Sequence, residues 1–231
     1  NGMFIAWASS THLGDFVYDR RVMVWNRATG TVSEVDVTSG PGRPNGTLAA
    51  LAISDDGTRL AFKGEATNIV PEDTDYITDH FVADFTLGTI SLAGLGPNGQ
   101  RVTPHFDGNV TKMAWDTTTS YFPEDGDYYS DVYEKDLSSG VTTLLVDLGT
   151  SNTTGYGLDL NSIYYTGHVW RRGQATVDLT LGTLYRLSHD GRYAIDVTGA
   201  NVVLHDLDTG TNTVVCSATS GTPDLPIIDW T

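Results

Sequence analysis

The 231-residue sequence contains one cysteine, Cys216, three lysines and five glutamates. A single cysteine excludes an internal disulfide and a cysteine-rich metal site. No apolar run approaches the roughly 18 residues that cross a bilayer as a helix, so membrane insertion is not expected. Positive charge is scarce: 13 Lys and Arg stand against 29 Asp and Glu, a formal net charge of −16. Phosphate backbones and anionic lipid surfaces are bound through basic faces, which sets nucleic acid aside as a partner. Glu and Lys are good helix formers, and their scarcity argues against surface helices.

What is present points the other way. The chain carries 24 Asp, 25 Gly and 11 Tyr, and 39% of it is hydrophobic. Asp and Gly serve turns and ion sites, while Tyr and Thr suit strands. The expected class is all-β, folded as one domain over residues 1–231.

Five segments repeat one pattern of alternating apolar residues, an Asp or Asn, and a Gly four positions on. They are VMVWNRATG to Gly30, HFVADFTLG to Gly88, VYEKDLSSG to Gly140, ATVDLTLG to Gly182 and NVVLHDLDTG to Gly210. The polar residue is Asn26, Asp84, Asp136, Asp178 and Asp206 in turn. Its side chain can bond the backbone two residues on and the Gly can take positive φ, so each copy predicts a strand entering a hairpin. An apolar strand, a turn and a second apolar strand precede each copy. LAALAISDDGTRLAFKG (48–64) is the clearest, with related forms around Gly108, Asn161 and Gly191.

Together these units predict four-stranded blades of a β-propeller. Five blades of about 46 residues fit the length, with four left open because only nine residues separate Gly182 from Gly191. The C-terminal DLPIIDWT reads as the missing first strand of blade one, closing the ring.

The stretch ISDDGTRLAFKGEATNIVPEDTDYITDHFVADFTLGT is similar to the repeat of TolB-type, WD-like bacterial propellers. The match is close over 48–92, fair over 101–145, partial in the first and last blades and poor over 150–185. The resemblance implies a propeller, export from the cytoplasm, and binding or scaffolding more often than catalysis. Where that repeat has Gly and Asn in its loop, this chain has Glu72 or Glu124 and Asp75 or Asp127. Both departures add negative charge.

Those loops carry the sharpest chemistry. PEDTDYITD supplies Glu72, Asp73, Asp75 and Asp79, and PEDGDYYSD supplies Glu124, Asp125, Asp127 and Asp131. In both, Asp recurs at i, i+2 and i+6, with no Lys or Arg inside the loop to neutralise it. Ca²⁺ takes six to eight hard oxygen ligands, Mg²⁺ a stricter octahedron, and Zn²⁺ prefers His or Cys. The reading is therefore two Ca²⁺ sites, against a plain solvated acidic turn. The EF-hand glycine and terminal glutamate are missing. In blade one, Asp15 takes the first acidic place but Val17 and Arg21 take the others, so no ion is expected there.

Catalytic signals are weak. The six histidines (His12, His80, His105, His168, His189, His205) read as turn and surface residues, and no nucleophile elbow or phosphate loop is present. Acids for glycoside hydrolysis would sit on inner strands, where the candidates are Asp116, Asp159, Asp196 and Asp229. Trp7, Trp115 and Trp230 read as core, while Tyr76, Tyr128 and Tyr129 fall in loops that suit an interface. The expectation is a non-enzymatic, calcium-stabilised module outside the cytoplasm: secreted, periplasmic or on a bacterial surface. Its partner would be a protein, possession of a lectin-like carbohydrate site being the alternative and a hydrolase the third reading. A place as one segment of a larger or filamentous assembly is compatible with exposed strand edges.

Overall fold

The computed structural model describes residues 2–14, 17–35, 37–38, 42–75, 77–94, 104–120, 122–123, 129–149, 153–156, 160–165, 168–174, 176–178, 183–188 and 191–217. Among them are nineteen strands and no helix. β1 (Phe4–Gly14), β2 (Val17–Asn26) and β3 (Thr31–Val35) form a three-stranded sheet. β4 (Leu48–Ile53), β5 (Arg59–Gly64), β6 (Asp79–Asp84) and β7 (Thr89–Leu92) form a four-stranded one. The third sheet holds β8 (His105–Phe106), β9 (Lys112–Thr117), β10 (Asp131–Asp136) and β11 (Thr142–Val146). The fourth holds β12 (Thr153–Tyr156), β13 (Ser162–Tyr165), β14 (His168–Arg171) and β15 (Val177–Asp178). β16 (Thr183–Leu187), β17 (Tyr193–Thr198), β18 (Asn201–Asp206) and β19 (Thr211–Ser217) make the last. Strands follow chain order within every sheet. The all-β expectation holds.

The chain divides into two compact units, residues 1–112 with 136–141 and residues 113–135 with 142–231. In the first, Val22, Leu60, Phe62, Ile69, Val70 and Phe81 are buried together, with the Phe62 and Phe81 rings stacked 5.3 Å apart. In the second, Ala114, Val132, Leu148, Leu160 and Ile163 form one cluster and Tyr164, Val169, Ala194 and Leu207 another. Arg172 ties β14 to Glu134 of β10, and Arg171 reaches Asp208 in the β18–β19 turn.

Four of the five expected hairpins form as read. Asn26 Oδ1 accepts the Ala28 N–H at 2.9 Å, Asp84 Oδ1 the Thr86 N–H at 3.0 Å, Asp136 Oδ1 the Ser138 N–H at 2.9 Å, and Asp206 Oδ1 the Asp208 N–H at 3.0 Å. The closing glycines Gly30, Gly88, Gly140 and Gly210 all have φ between 63° and 72°. The fifth reading was one hairpin out of place. Asp178 ends β15, the last strand of its sheet, and pairs with His168 on β14; residues 179–182 lie outside the described residues. The turn there is Arg171–Gln174, with Gly173 at φ 72°. The outer strand therefore precedes Gly182, which removes the crowding before Gly191.

A second correction concerns the turn before each second strand. Its left-handed residue is Gly57 (φ 73°), Val110 (φ 52°), Leu160 (φ 58°) and Gly191 (φ 67°), each two residues ahead of its strand. Gly108 and Asn161 are not the equivalents of Gly57. Val110 N–H donates to Asp107 O at 3.0 Å, as Gly57 does to Ser54 O and Gly191 to Ser188 O, both at 2.9 Å. Left-handed backbone costs an ordinary residue about 1–2 kcal/mol. Val110 and Leu160 are almost wholly buried, so their side chains supply the compensating burial.

Among the described residues the first sheet has three strands and no counterpart of β4; the C-terminal segment expected to supply one, within 218–231, lies outside the described residues. The segment leading into β4 is strapped to the one leaving β5. Asn45 N–H donates to Asn68 Oδ1 at 3.0 Å, Thr67 N–H to Asn45 Oδ1 at 2.9 Å, and Asn68 Nδ2 to Arg43 O at 2.9 Å. Gly46 lies so close that an added Cβ would stand 2.5 Å from the Ala66 backbone nitrogen.

Two outcomes follow from these contacts. Gly46→Ala must move backbone and should cost about 3 kcal/mol in urea unfolding, whereas Gly88→Ala meets nothing within 4 Å and should cost about 1 kcal/mol, the left-handed penalty alone. Equal costs would deny the strap its role. The hairpin carboxylates set an acid limit. The Thr86 hydroxyl holds Asp84 down to about 2, and Ser138 holds Asp136 well below the usual range. A depressed native pKa contributes stability that is complete above the ordinary value and lost as pH falls through the native one. Asp136→Asn keeps the acceptor, as Asn26 already does, so its unfolding midpoint should drop less than the parent's between pH 7 and pH 2.

A candidate metal centre between β5 and β6

The connection from Gly64 to Asp79 is anchored before it becomes acidic. Ile69 and Val70 are buried in the core of the first unit, and Asp73 N–H donates to Val70 O at 3.3 Å. Asp75 Oδ1 accepts the Ile77 N–H at 2.8 Å, turning the chain back toward β6. Asp79 opens β6 opposite Gly64. The result is that Asp73, Asp75 and Asp79 each offer a carboxylate oxygen within 4.8 Å of the others.

The three differ in depth. Asp73 is only 5% exposed and neither of its oxygens has a hydrogen-bond partner. Asp79 is half-buried and Asp75 exposed. Among the described residues no Lys, Arg or His forms an ion pair with any of them. Burial pushes the Asp73 carboxyl up; the Asp75 amide lies near enough to offset part of this without completing a bond, and the Asp75 charge adds to it. Asp79 is raised by burial first, then by the charges of Asp73 and Asp75. A buried, unpartnered carboxylate beside two others is unfavourable until a cation or a proton joins it.

All-oxygen donors at graded depth fit Ca²⁺ or Mg²⁺ chemistry and not Zn²⁺. The adjacent His80 does not join the set. Neighbouring strand residues point to opposite faces, and His80 is buried with its Nε2 unbonded. Burial and then the Lys63 charge push its imidazole down to about 4, so it is neutral at pH 7.

Glu72 is exposed and stands outside the cluster. In the second acidic loop, Glu124, Asp125 and Asp127 lie outside the described residues, as do Tyr76 and Tyr128. Asp131 opens β10 as Asp79 opens β6; it is buried and its Oδ1 accepts the Leu148 N–H at 2.7 Å. Blade one has no comparable loop, because β1 and β2 pair up to Gly14 and Val17. Arg21 Nη1 donates to Glu34 Oε2 at 2.9 Å, and Asp15 lies outside the described residues.

Other expectations change with burial. His80 and His205 are interior, not surface, residues. His205 Nε2 lies 3.1 Å from Asp196 Oδ1 and its Nδ1 2.7 Å from Asn212 Oδ1, while the Thr198 hydroxyl donates to Asp196 Oδ2 at 2.9 Å. Each Asp196 oxygen thus has a partner within the sheet. Asp116 and Asp196 stand on second strands, not inner ones. Asp159 and Asp229 lie outside the described residues. Trp115 is core and stacks on Tyr133 at 6.1 Å, but Trp7 is 38% exposed, and Tyr129 is 49% exposed. The Asn45–Asn68 strap under the acidic loop went unread, although the TN of TNIVPEDTD was its signal.

Among solved structures, the β-propeller domain of the Trilobed protease from Pyrococcus furiosus superposes with a TM-score of 0.53 at 13% identity, over 89% of this chain and 65% of that one. The chain has a β-propeller fold. One of two prolyl endopeptidases is similar to the propeller at a TM-score of 0.57 and 13% identity, over 93% of this chain and 37% of that one. An oligogalacturonate lyase in complex with manganese follows at 0.51 and 11%, over 89% and 61%. The propeller thus spans 37 to 65% of these chains. Identities this low carry the fold and none of those activities. No protein-family model matches the propeller, and no curated protein matches it in sequence.

Neutralising the deepest carboxylate tests its state. At pH 7 without divalent cations, Asp73→Asn should raise stability by about 1 kcal/mol, because it removes a buried unpaired charge. An unchanged or lower urea midpoint would place Asp73 in solvent.

Proposed function

We propose that this chain is a calcium-stabilised propeller that serves as a non-enzymatic binding or scaffold module outside the cytoplasm, secreted, periplasmic or on a bacterial surface. The observation that carries the reading is Asp73, dry and unpartnered within a cluster of three carboxylates. Ca²⁺ there would join the strapped connection to the start of β6 and add its binding free energy to folding. The matching spacing of PEDGDYYSD supports a second site at Asp125, Asp127 and Asp131. The five sheets are read as five TolB-type blades of one domain, with the C-terminal DLPIIDWT (224–231) as the first strand of blade one. The partner is a protein on this reading, and a role as one segment of a larger assembly suits the exposed edge strand β19.

Calorimetric unfolding in excess Ca²⁺ and in chelator tests the reading. At a hundredfold excess over Kd the ion should add about 2.7 kcal/mol, which in a chain of this size raises the melting temperature by about 5–10 °C. Asp73→Asn with Asp75→Ala should remove the share of the rise that the first loop supplies, and adding Asp127→Ala should abolish what is left. No calcium-dependent shift in the parent protein would reduce the loops to solvated turns.

A further inference from the structure

We propose that the ion held by Asp73, Asp75 and Asp79 presents an open outer side to a neutral sugar and binds it through a pair of adjacent hydroxyls. The inference rests on the calcium reading and adds a ligand class to it. Depth gives the direction: Asp73 closes the inner side, while Asp75 is exposed, so the outer side faces solvent. Three carboxylates hold six oxygens between them, and one of these, Asp75 Oδ1, already accepts the Ile77 N–H. A shell of six to eight oxygens therefore draws further ligands from the backbone and from outside.

Charge selects among outside ligands. Three carboxylates and one Ca²⁺ leave a formal charge of −1, with exposed Glu72 beside it and a chain charge of −16 behind it. A phosphate or carboxylate ligand meets repulsion, whereas hydroxyls replace water at no charge cost. Ile77 lies between Asp75 and Asp79 in the chain, its N–H bonds Asp75 Oδ1, and its side chain is 49% exposed, so the same turn carries an apolar surface. A pyranose has both faces this site needs: a hydroxyl pair for the cation and C–H groups for an aliphatic side chain.

The test is isothermal titration of the calcium-saturated protein with methyl mannoside, methyl galactoside and galacturonate, with melting temperatures measured in parallel. At least one neutral glycoside should bind with a Kd on the order of 1 mM, ordinary for about a dozen heavy atoms. Chelator should remove the binding, Ile77→Ala should weaken it about threefold, and galacturonate should bind about threefold more weakly than methyl galactoside. No neutral glycoside binding in protein that calcium has stabilised overturns this inference and leaves the metal reading intact. Tighter binding of galacturonate also overturns it, in favour of an anionic ligand. Failure of calcium to raise the melting temperature overturns both.

Discussion

The bond from a short polar side chain to the backbone two residues ahead is the constraint on which the sheets depend. Asn26, Asp84, Asp136 and Asp206 each fix where one strand ends and the next begins. In a pleated strand a slip of one residue exchanges the buried and exposed faces. With Asp84 held, Arg59 pairs opposite Asp84 and the Phe62–Phe81 pair falls inside. At the same corners the Thr86 and Ser138 hydroxyls and the Arg192 guanidinium hold Asp84, Asp136 and Asp206 below the usual carboxylate range, so the residues that set register also set tolerance of low pH.

The acidic connection uses opposite physics. Only Asp75 is engaged by a turn, through the Ile77 N–H; Asp73 is dry and unpartnered, and the other two crowd it. What keeps them together is outside the cluster: Ile69 and Val70 in the core below, and the asparagine strap beside them. A flexible loop would let the charges separate. This one is held at its base, so the repulsion remains until a cation offsets it.

Much of this was legible from residue order. The hairpins were, because a polar residue followed four positions later by glycine has a local mechanism. The acidic triplet was as well, because its spacing recurs. What could not be read was burial. Nothing local separates His205 in a β-strand from a surface histidine, and its partners Asp196 and Asn212 come from neighbouring strands. The misplaced hairpin at Asp178 has a local cause: Arg171–Gln174 turns without an Asp or Asn, so the nearest Asp-to-Gly pattern took its place.

The left-handed residues ahead of the second strands come in two kinds. At Gly57 the backbone adopts the conformation freely, while at Val110 it does so because a side chain is locked into the interior. The same fold position is thus written in two vocabularies, one of permissive backbone and one of hydrophobic plug. A repeat protein averaged from its own blades would place glycine at every such corner. In the third and fourth sheets that substitution would relax the chain and hollow out the packing beneath it.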